Sequence, residues 1–194
     1  MSITSILKYD SDEVLFQSSR SKTQTNHVNS MKEIVEEALK DNVCLDYADL
    51  ANADLKDINL DDAEIRFANF RGADLRGANM SEACFEGSDF SYAQLQSACL
   101  SESDLTHCAF LYSRFGDSDC AGTIFRETLF AGISALNLNF AESRTLAGAQ
   151  YIHEDLRAYP MTTTPLTLNG LGHPLIMIDT HFLNGGEIHP NKDL

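Results

Sequence analysis

Tyr47-Ala48-Asp49-Leu50-Ala51-Asn52-Ala53-Asp54-Leu55 contains one three-residue step twice, five residues apart: small, polar, large. The step extends outward from this stretch. Large apolar residues stand at Leu45, Leu50, Leu55, Leu60, Ile65, Phe70, Leu75, Met80, Phe85, Phe90, Leu95, Leu100, Leu105, Phe110 and Phe115. The series continues less regularly through Cys120, Phe125, Phe130, Ala135 and Phe140, with no insertion. Two residues before each large one sits a small one, such as Ala48, Ala63, Ala78, Ser88, Ala98 or Cys108, and Asp or Asn often lies between.

A period of five suits neither standard element. A helix smears it around its surface, since five residues make nearly one and a half turns. A strand alternates it between two faces. The period works if five residues make one short side of a four-sided coil, with the large residue inside, the small one beside it and the other three outward. A coil then takes about twenty residues, and coils stack at roughly the 4.8 Å spacing of paired strands. Such a unit cannot bury its large residue alone, so stacking supplies the core. Residues twenty apart form columns, among them Leu50, Phe70, Phe90, Phe110 and Phe130, a predicted ladder of rings.

The steps Ala48-Asp49-Leu50, Ala53-Asp54-Leu55, Ala73-Asp74-Leu75 and Ala68-Asn69-Phe70 match the motif A(D/N)LXX. On these residues the chain resembles the pentapeptide-repeat family, and the resemblance covers about half of it. It implies an all-β solenoid, a right-handed quadrilateral β-helix of about five coils.

The flanks divide the remaining chain. Residues 1–28 are expected to hold an N-terminal hairpin around Asp10-Ser11-Asp12 and a polar linker. Residues 29–42 are expected to form a short capping helix. Ser30 and Glu33 make a capping box before it, and Met31, Ile34, Val35, Ala38 and Leu39 share one face. The repeat is placed at 43–145, with the register decaying after Ala141. Residues 146–194 carry all four prolines and are expected to form a small C-terminal β cap, with strands near Leu166–Leu168 and Leu175–Ile178. This tail, through Asn169-Gly170-Leu171-Gly172-His173-Pro174, is similar to the C-terminal segment of bacterial and phage pentapeptide-repeat proteins, but Gly185-Gly186-Glu187-Ile188-His189 stands where those have a Gly-Cys pair.

The net charge is −15 and the sequence pI about 4.6. Such a surface repels nucleic acid and anionic membrane and attracts basic proteins. No apolar run reaches a membrane span, and Met1 to Phe16 lacks the pattern of a signal peptide. The five cysteines are scattered, as in a reduced, cytoplasmic protein.

No nucleophile elbow, HExxH or phosphate loop occurs, so a non-catalytic chain without a cofactor is expected. Ser5-x-x-Lys8 lacks any companion motif. His173, His181 and His189 are read as surface residues of the tail rather than zinc ligands. The outward positions remain. One side shows Asp61, Asp62, Glu82, Glu102, Asp119 and Glu142 with no Lys or Arg, the candidate partner-binding stripe. The competing reading is a solvated face. Leu111, Tyr112, Ile124 and Leu129 form an apolar outer patch, covered by the tail or by a second copy in a homodimer. The expected function is protein–protein interaction through the acidic face. The alternative, implied by family members that protect topoisomerases, is mimicry of DNA toward gyrase, another topoisomerase or a nuclease.

Overall fold

The computed structural model describes residues 5–18, 30–133, 143–152, 158–161, 166–168, 175–178, 181–184 and 187–190, with side chains described through residue 150. Four ladders of parallel bridges run through the repeat, each stepping twenty residues. They are Asp49–Asn69–Asp89–Ala109, Asp54–Asp74–Gln94–Arg114, Asn59–Asn79–Cys99–Asp119 and Glu64–Cys84–Asp104–Ile124. Most sides make one bridge to the next coil. Among the described residues of the repeat, only β3 (Ala109–Leu111) and β4 (Leu129–Ala131) lengthen into strands, and they pair in parallel.

The core follows the five-residue series. Leu45, Leu55, Phe70, Leu75, Met80, Phe90, Leu105 and Phe125 are fully buried, with the small residues beside them. The phenylalanine column stacks face to face: Phe70–Phe90 centroids are 4.7 Å apart, Phe90–Phe110 5.1 Å and Phe110–Phe130 5.6 Å. Phe85 meets Phe70 and Phe90 edge-on at 5.7 and 5.6 Å, which suits the ring quadrupole.

The corners explain why five residues make one side. After most large residues the chain makes a turn closed by an i→i+3 hydrogen bond, such as Ala48 N to Leu45 O at 3.1 Å. The third turn residue has positive φ at all eighteen steps from Tyr47 to Gly132, and thirteen of these are not glycine. A left-handed non-glycine residue costs roughly 1–2 kcal/mol, so the stacking must carry that strain. The polar residue of each step helps. Asp49, Asp54, Asn69, Asp74, Asn79, Asp89, Asp104 and Asp119 each accept a hydrogen bond from the amide two residues on, at 2.8–3.3 Å. That amide lies in the turn, and these are Asx turns.

The ends differ. Strands β1 (Ser5–Leu7) and β2 (Val14–Gln17) pair antiparallel, and Lys8 bridges Ala48 of the first coil. Helix α1 (Met31–Lys40) starts at Ser30 with a complete capping box. Its Ile34, Val35 and Ala38 join the same buried cluster as Leu45 and Ile58. At the other end the register slips instead of fading. Arg144 N still reaches Thr123 O, but Ile124 pairs with Thr145 and Leu129 with Gln150, twenty-one residues on. Arg144 and Thr145 together therefore take the place of one residue opposite Ile124, and Leu146 and Ala149 take the buried positions. Strand β5 (Ala149–Ile152) continues the stack beside β4, and β6 (Ala158–Met161) turns back antiparallel. Strands β7 (Leu166–Leu168), β8 (Leu175–Ile178), β9 (His181–Asn184) and β10 (Glu187–Pro190) form an antiparallel sheet in chain order. The linker expected at 18–29 falls largely outside the described residues, as do Phe140, Glu142 and His173.

Phe90→Ala is expected to lower stability by about 3–5 kcal/mol, while Ser97→Gly, at a corner with φ 60°, is expected to raise it by up to about 1 kcal/mol. Denaturant unfolding of both variants reads the two signs. A hydrogen bond from Arg76 holds the Asp74 carboxylate below its ordinary pKa. The pair's contribution is present above the ordinary value and is lost as pH falls through the depressed one. An NMR titration should show Asp74 titrating low, and Arg76→Gln should return it upward.

Candidate functional site

The expected acidic stripe is assembled at the corner that follows Leu60, Met80 and Leu100. Asp62, Glu82 and Glu102 occupy its left-handed position on three successive coils, with φ of 57°, 56° and 60°. Their amides bond upward to Ser81, Ser101 and Ala121 carbonyls at 3.0, 2.9 and 2.8 Å. This stacks the three Cα atoms at the coil spacing, roughly 4.8 Å. All three side chains are exposed, as is Asp61 beside them.

The structure corrects one expectation here. The side is not free of bases: Arg144 forms an ion pair with Glu102. Arg144 stands where the register slips, forty-two residues beyond its partner, so no column in the sequence placed it there. Asp119 also has a structural task, since its Oδ1 accepts the Ala121 amide at 3.0 Å. The Ser81 hydroxyl donates to Asp61 Oδ1 at 2.5 Å. Asp61, Asp62, Glu82 and Asp119 are the carboxylates of the stripe that no neighbouring base offsets among the described contacts.

Next to this corner lies a cleft of about 700 Å³ between the C-terminal half of α1 and the first side of the repeat. Glu36, Asp46, Asp61, Asp62 and Glu64 line it over a floor of Leu39, Val43 and Ala63. Its one guanidinium, Arg66, is 3.4 Å from Asp46 and 3.2 Å from Glu64. The acidic surface therefore runs from the cleft up the corner. Glu36, Asp46 and Glu64 escape a repeat-only reading, because Glu36 arrives on the helix and the other two lie on the neighbouring side. Among the described residues no cluster of His, Cys, Asp and Glu has the makings of a metal site.

The apolar residues of the second candidate patch share one end of the repeat but differ in exposure. Tyr112 is 56% exposed, while Leu111, Ile124 and Leu129 are half-buried. Ala131 is buried. The neglected signal is the corner position itself: Tyr92 stacks on Tyr112 at 5.4 Å, and Tyr47 on Phe67 at 5.1 Å.

A twenty-residue coil of A(D/N)LXX steps has a counterpart among known proteins. The family model described as pentapeptide repeats matches residues 44–82 and 68–106, in eight copies. Residues 44–106 of this chain are pentapeptide repeats. No curated protein matches the chain in sequence. Solved structures of similar fold include a pentapeptide-repeat protein from the Arabidopsis thaliana thylakoid lumen, 30% identical, with 43% of this chain and 59% of that one covered and a TM-score of 0.42. Another is a pentapeptide-repeat protein from Nostoc, 22% identical, with 63% and 95% covered and a TM-score of 0.49. A third is full-length QnrB1, a plasmid-mediated fluoroquinolone resistance protein, 21% identical, with 53% and 60% covered and a TM-score of 0.23. This chain thus spans 59% of the Arabidopsis protein's length. Among the described residues no helix is long and apolar enough to cross a membrane.

Cys44 is exposed beside the cleft, whereas Cys108 and Cys120 are buried, and burial pushes the Cys108 thiol above its ordinary pKa. Iodoacetamide on the native protein should therefore label Cys44 first and leave Cys108 and Cys120 unmodified until denaturant is added. Mass spectrometry of the peptides checks the order.

Proposed function

We propose that this chain is a non-catalytic interaction module, a right-handed quadrilateral β-helix of about five coils that offers its acidic corner to a basic protein partner in the cytoplasm. In this reading α1 caps the first coil and the C-terminal strands cap the last. The partner meets Asp61, Asp62, Glu82 and Glu102, with Asp119 and Glu142 completing the stripe. The supporting observation is the column of carboxylates at Asp62, Glu82 and Glu102, continuous with the acidic cleft. Like charges a coil apart repel, and interleaved lysines would solvate a rod at lower cost.

The regular step of that column favours a second reading, in which the partner is a DNA-binding enzyme such as gyrase, another topoisomerase or a nuclease. Duplex DNA presents one charge per roughly 1.7 Å of axis. Carboxylates in stacked rows on two adjoining sides approach that density only in part, so the mimic would cover a short stretch of a basic groove.

The test captures partners on the immobilised protein, beside an Asp61→Asn, Asp62→Asn, Glu82→Gln variant. Glu102 is left intact because Arg144 already offsets it. The variant should weaken capture of a basic partner about tenfold, for three contacts at roughly 0.5 kcal/mol each, and added salt should do the same to the parent. Equal capture by parent and variant would remove the acidic corner as the site. Displacement of the partner by duplex DNA supports mimicry, and a partner held in excess duplex leaves only the general reading.

A further inference from the structure

The N-terminal end of the repeat is finished unevenly. In the later coils the outward residue of a side turns both its amide and its carbonyl toward the coil below, as Asn79 N to Ile58 O at 2.9 Å and Leu60 N to Asn79 O at 2.7 Å show. The same groups of the first coil face the open end of the stack, where they need other partners. At Asp49 the amide is taken by Leu7 O of β1, at 2.8 Å. At the corner before Asn59, Lys32 of α1 bonds to the Lys56 and Asp57 carbonyls at 3.0 and 2.8 Å. Asn59 and Glu64 have no such cover. Among the described residues nothing bonds to the backbone amide or carbonyl of either, and both residues are exposed and line the cleft under α1. Asp54 lacks a backbone partner too, but lines no part of that cleft.

The chain stops short of closing this gap. The ladder Glu64–Cys84–Asp104–Ile124 would extend to Cys44, twenty residues before Glu64, but no bridge joins them. The end of α1 draws the chain aside: Val43 N bonds back to Ala38 O at 2.9 Å, and Asn42 takes a left-handed φ of 54°. The space left is the cleft of about 700 Å³, within the range of clefts that bind ligands. Its lining sets what fits. A strand added parallel to residues 63–65 gives one residue to the outward column of Glu64 and turns that residue's neighbours the other way. The outward residue meets Glu64, with Glu36, Asp61 and Asp62 on the same walls. Arg66, the one cation of the lining, is already engaged by Asp46 and Glu64, so five carboxylates face one guanidinium. The flanking residues turn toward Leu39 and Val43, half-buried apolar side chains packed on the core. Apolar, basic, apolar on an extended backbone is therefore the complementary pattern. A second copy of this chain, at net charge −15, is repelled here.

We propose that the open edge at Asn59 and Glu64 is a strand-addition site for an extended basic segment of a partner protein. The segment's backbone continues the ladder, and its Lys or Arg side chains face the carboxylates. This site rests on the acidic-corner reading, since Asp61 and Asp62 belong to both. The test titrates the full chain with an acetylated, amidated Val-Lys-Val-Lys-Val peptide, beside the same peptide methylated on its valine backbone nitrogens. Methylation keeps the charge and the apolar surface and removes the amides that bond to the edge carbonyls. Residue-resolved NMR reads affinity and amide exchange together. The unmethylated peptide should slow exchange at Asn59 and Glu64, and methylation should weaken binding about tenfold. Equal affinity of the two peptides overturns the proposal and leaves the acidic-corner reading in place. So does binding that moves the Glu82 and Glu102 amides and spares Asn59 and Glu64. Amides of Asn59 and Glu64 that are already protected in the free chain overturn it too, because the edge is then occupied by the chain itself or by a second copy. Failure of both peptides to bind overturns it as well, and capture of a basic protein by the parent but not by the corner variant then decides the acidic-corner reading on its own.

Discussion

Hydrogen bonds between coils are the constraint from which the rest of the structure follows. Each side gives an amide up and another down, as Leu50 N to Asn69 O and Asn69 N to Ala48 O show at 2.8 and 2.9 Å. Those bonds keep one register only while successive coils have the same number of residues. Twenty residues per coil then put like on like: phenylalanine on phenylalanine inside, aspartate on asparagine outside, as in the 2.8 Å bond from Asn69 Nδ2 to Asp49 Oδ1. The strain of left-handed corners is spread over every step and is held by the stack above and below. A single coil has neither the pairing nor the enclosed core, so the coils stand or fall together.

The core was legible from residue types alone, because burial selects one large side chain in every five and the spacing repeats without a gap up to Phe130. Helix α1 was legible for a similar reason, since Ser30 and Glu33 announce its start and its apolar face is periodic. The corners were not. Tyr47, Phe67, Tyr92 and Glu102 look like ordinary surface residues, and nothing in their identity marks a positive φ that almost any side chain can be made to adopt inside a rigid stack. The role of aspartate was half-visible. Its position repeats, but only the geometry shows the Asx bond that makes Asp119 part of a turn. Arg144 was hidden for a different reason. Its amide still follows the column of Cys84, Asp104 and Ile124, and its long-range pairing with Glu102 appears only in three dimensions.

Because the interior is uniform, differences between sides lie wholly in outward residues, and these sort into two surfaces. One corner gathers carboxylates beside the cleft under α1. Stacked rings line two other corners, at Tyr47–Phe67 and Tyr92–Tyr112. A rigid stack holds such surfaces at fixed distances from one another.

The central claim, that the chain is held by bonds between coils twenty residues apart, is tested most directly by amide hydrogen exchange resolved by residue. The amides of Phe70, Phe90 and Gly72 donate to the next coil, whereas those of Arg71, Arg76 and Ser91 reach only a side-chain carboxylate or amide oxygen. The account predicts slow exchange at the first set and fast exchange at the second, with the pattern recurring every five residues from coil to coil. Protection that is uniform along the repeat, or that follows a helical period, would contradict it.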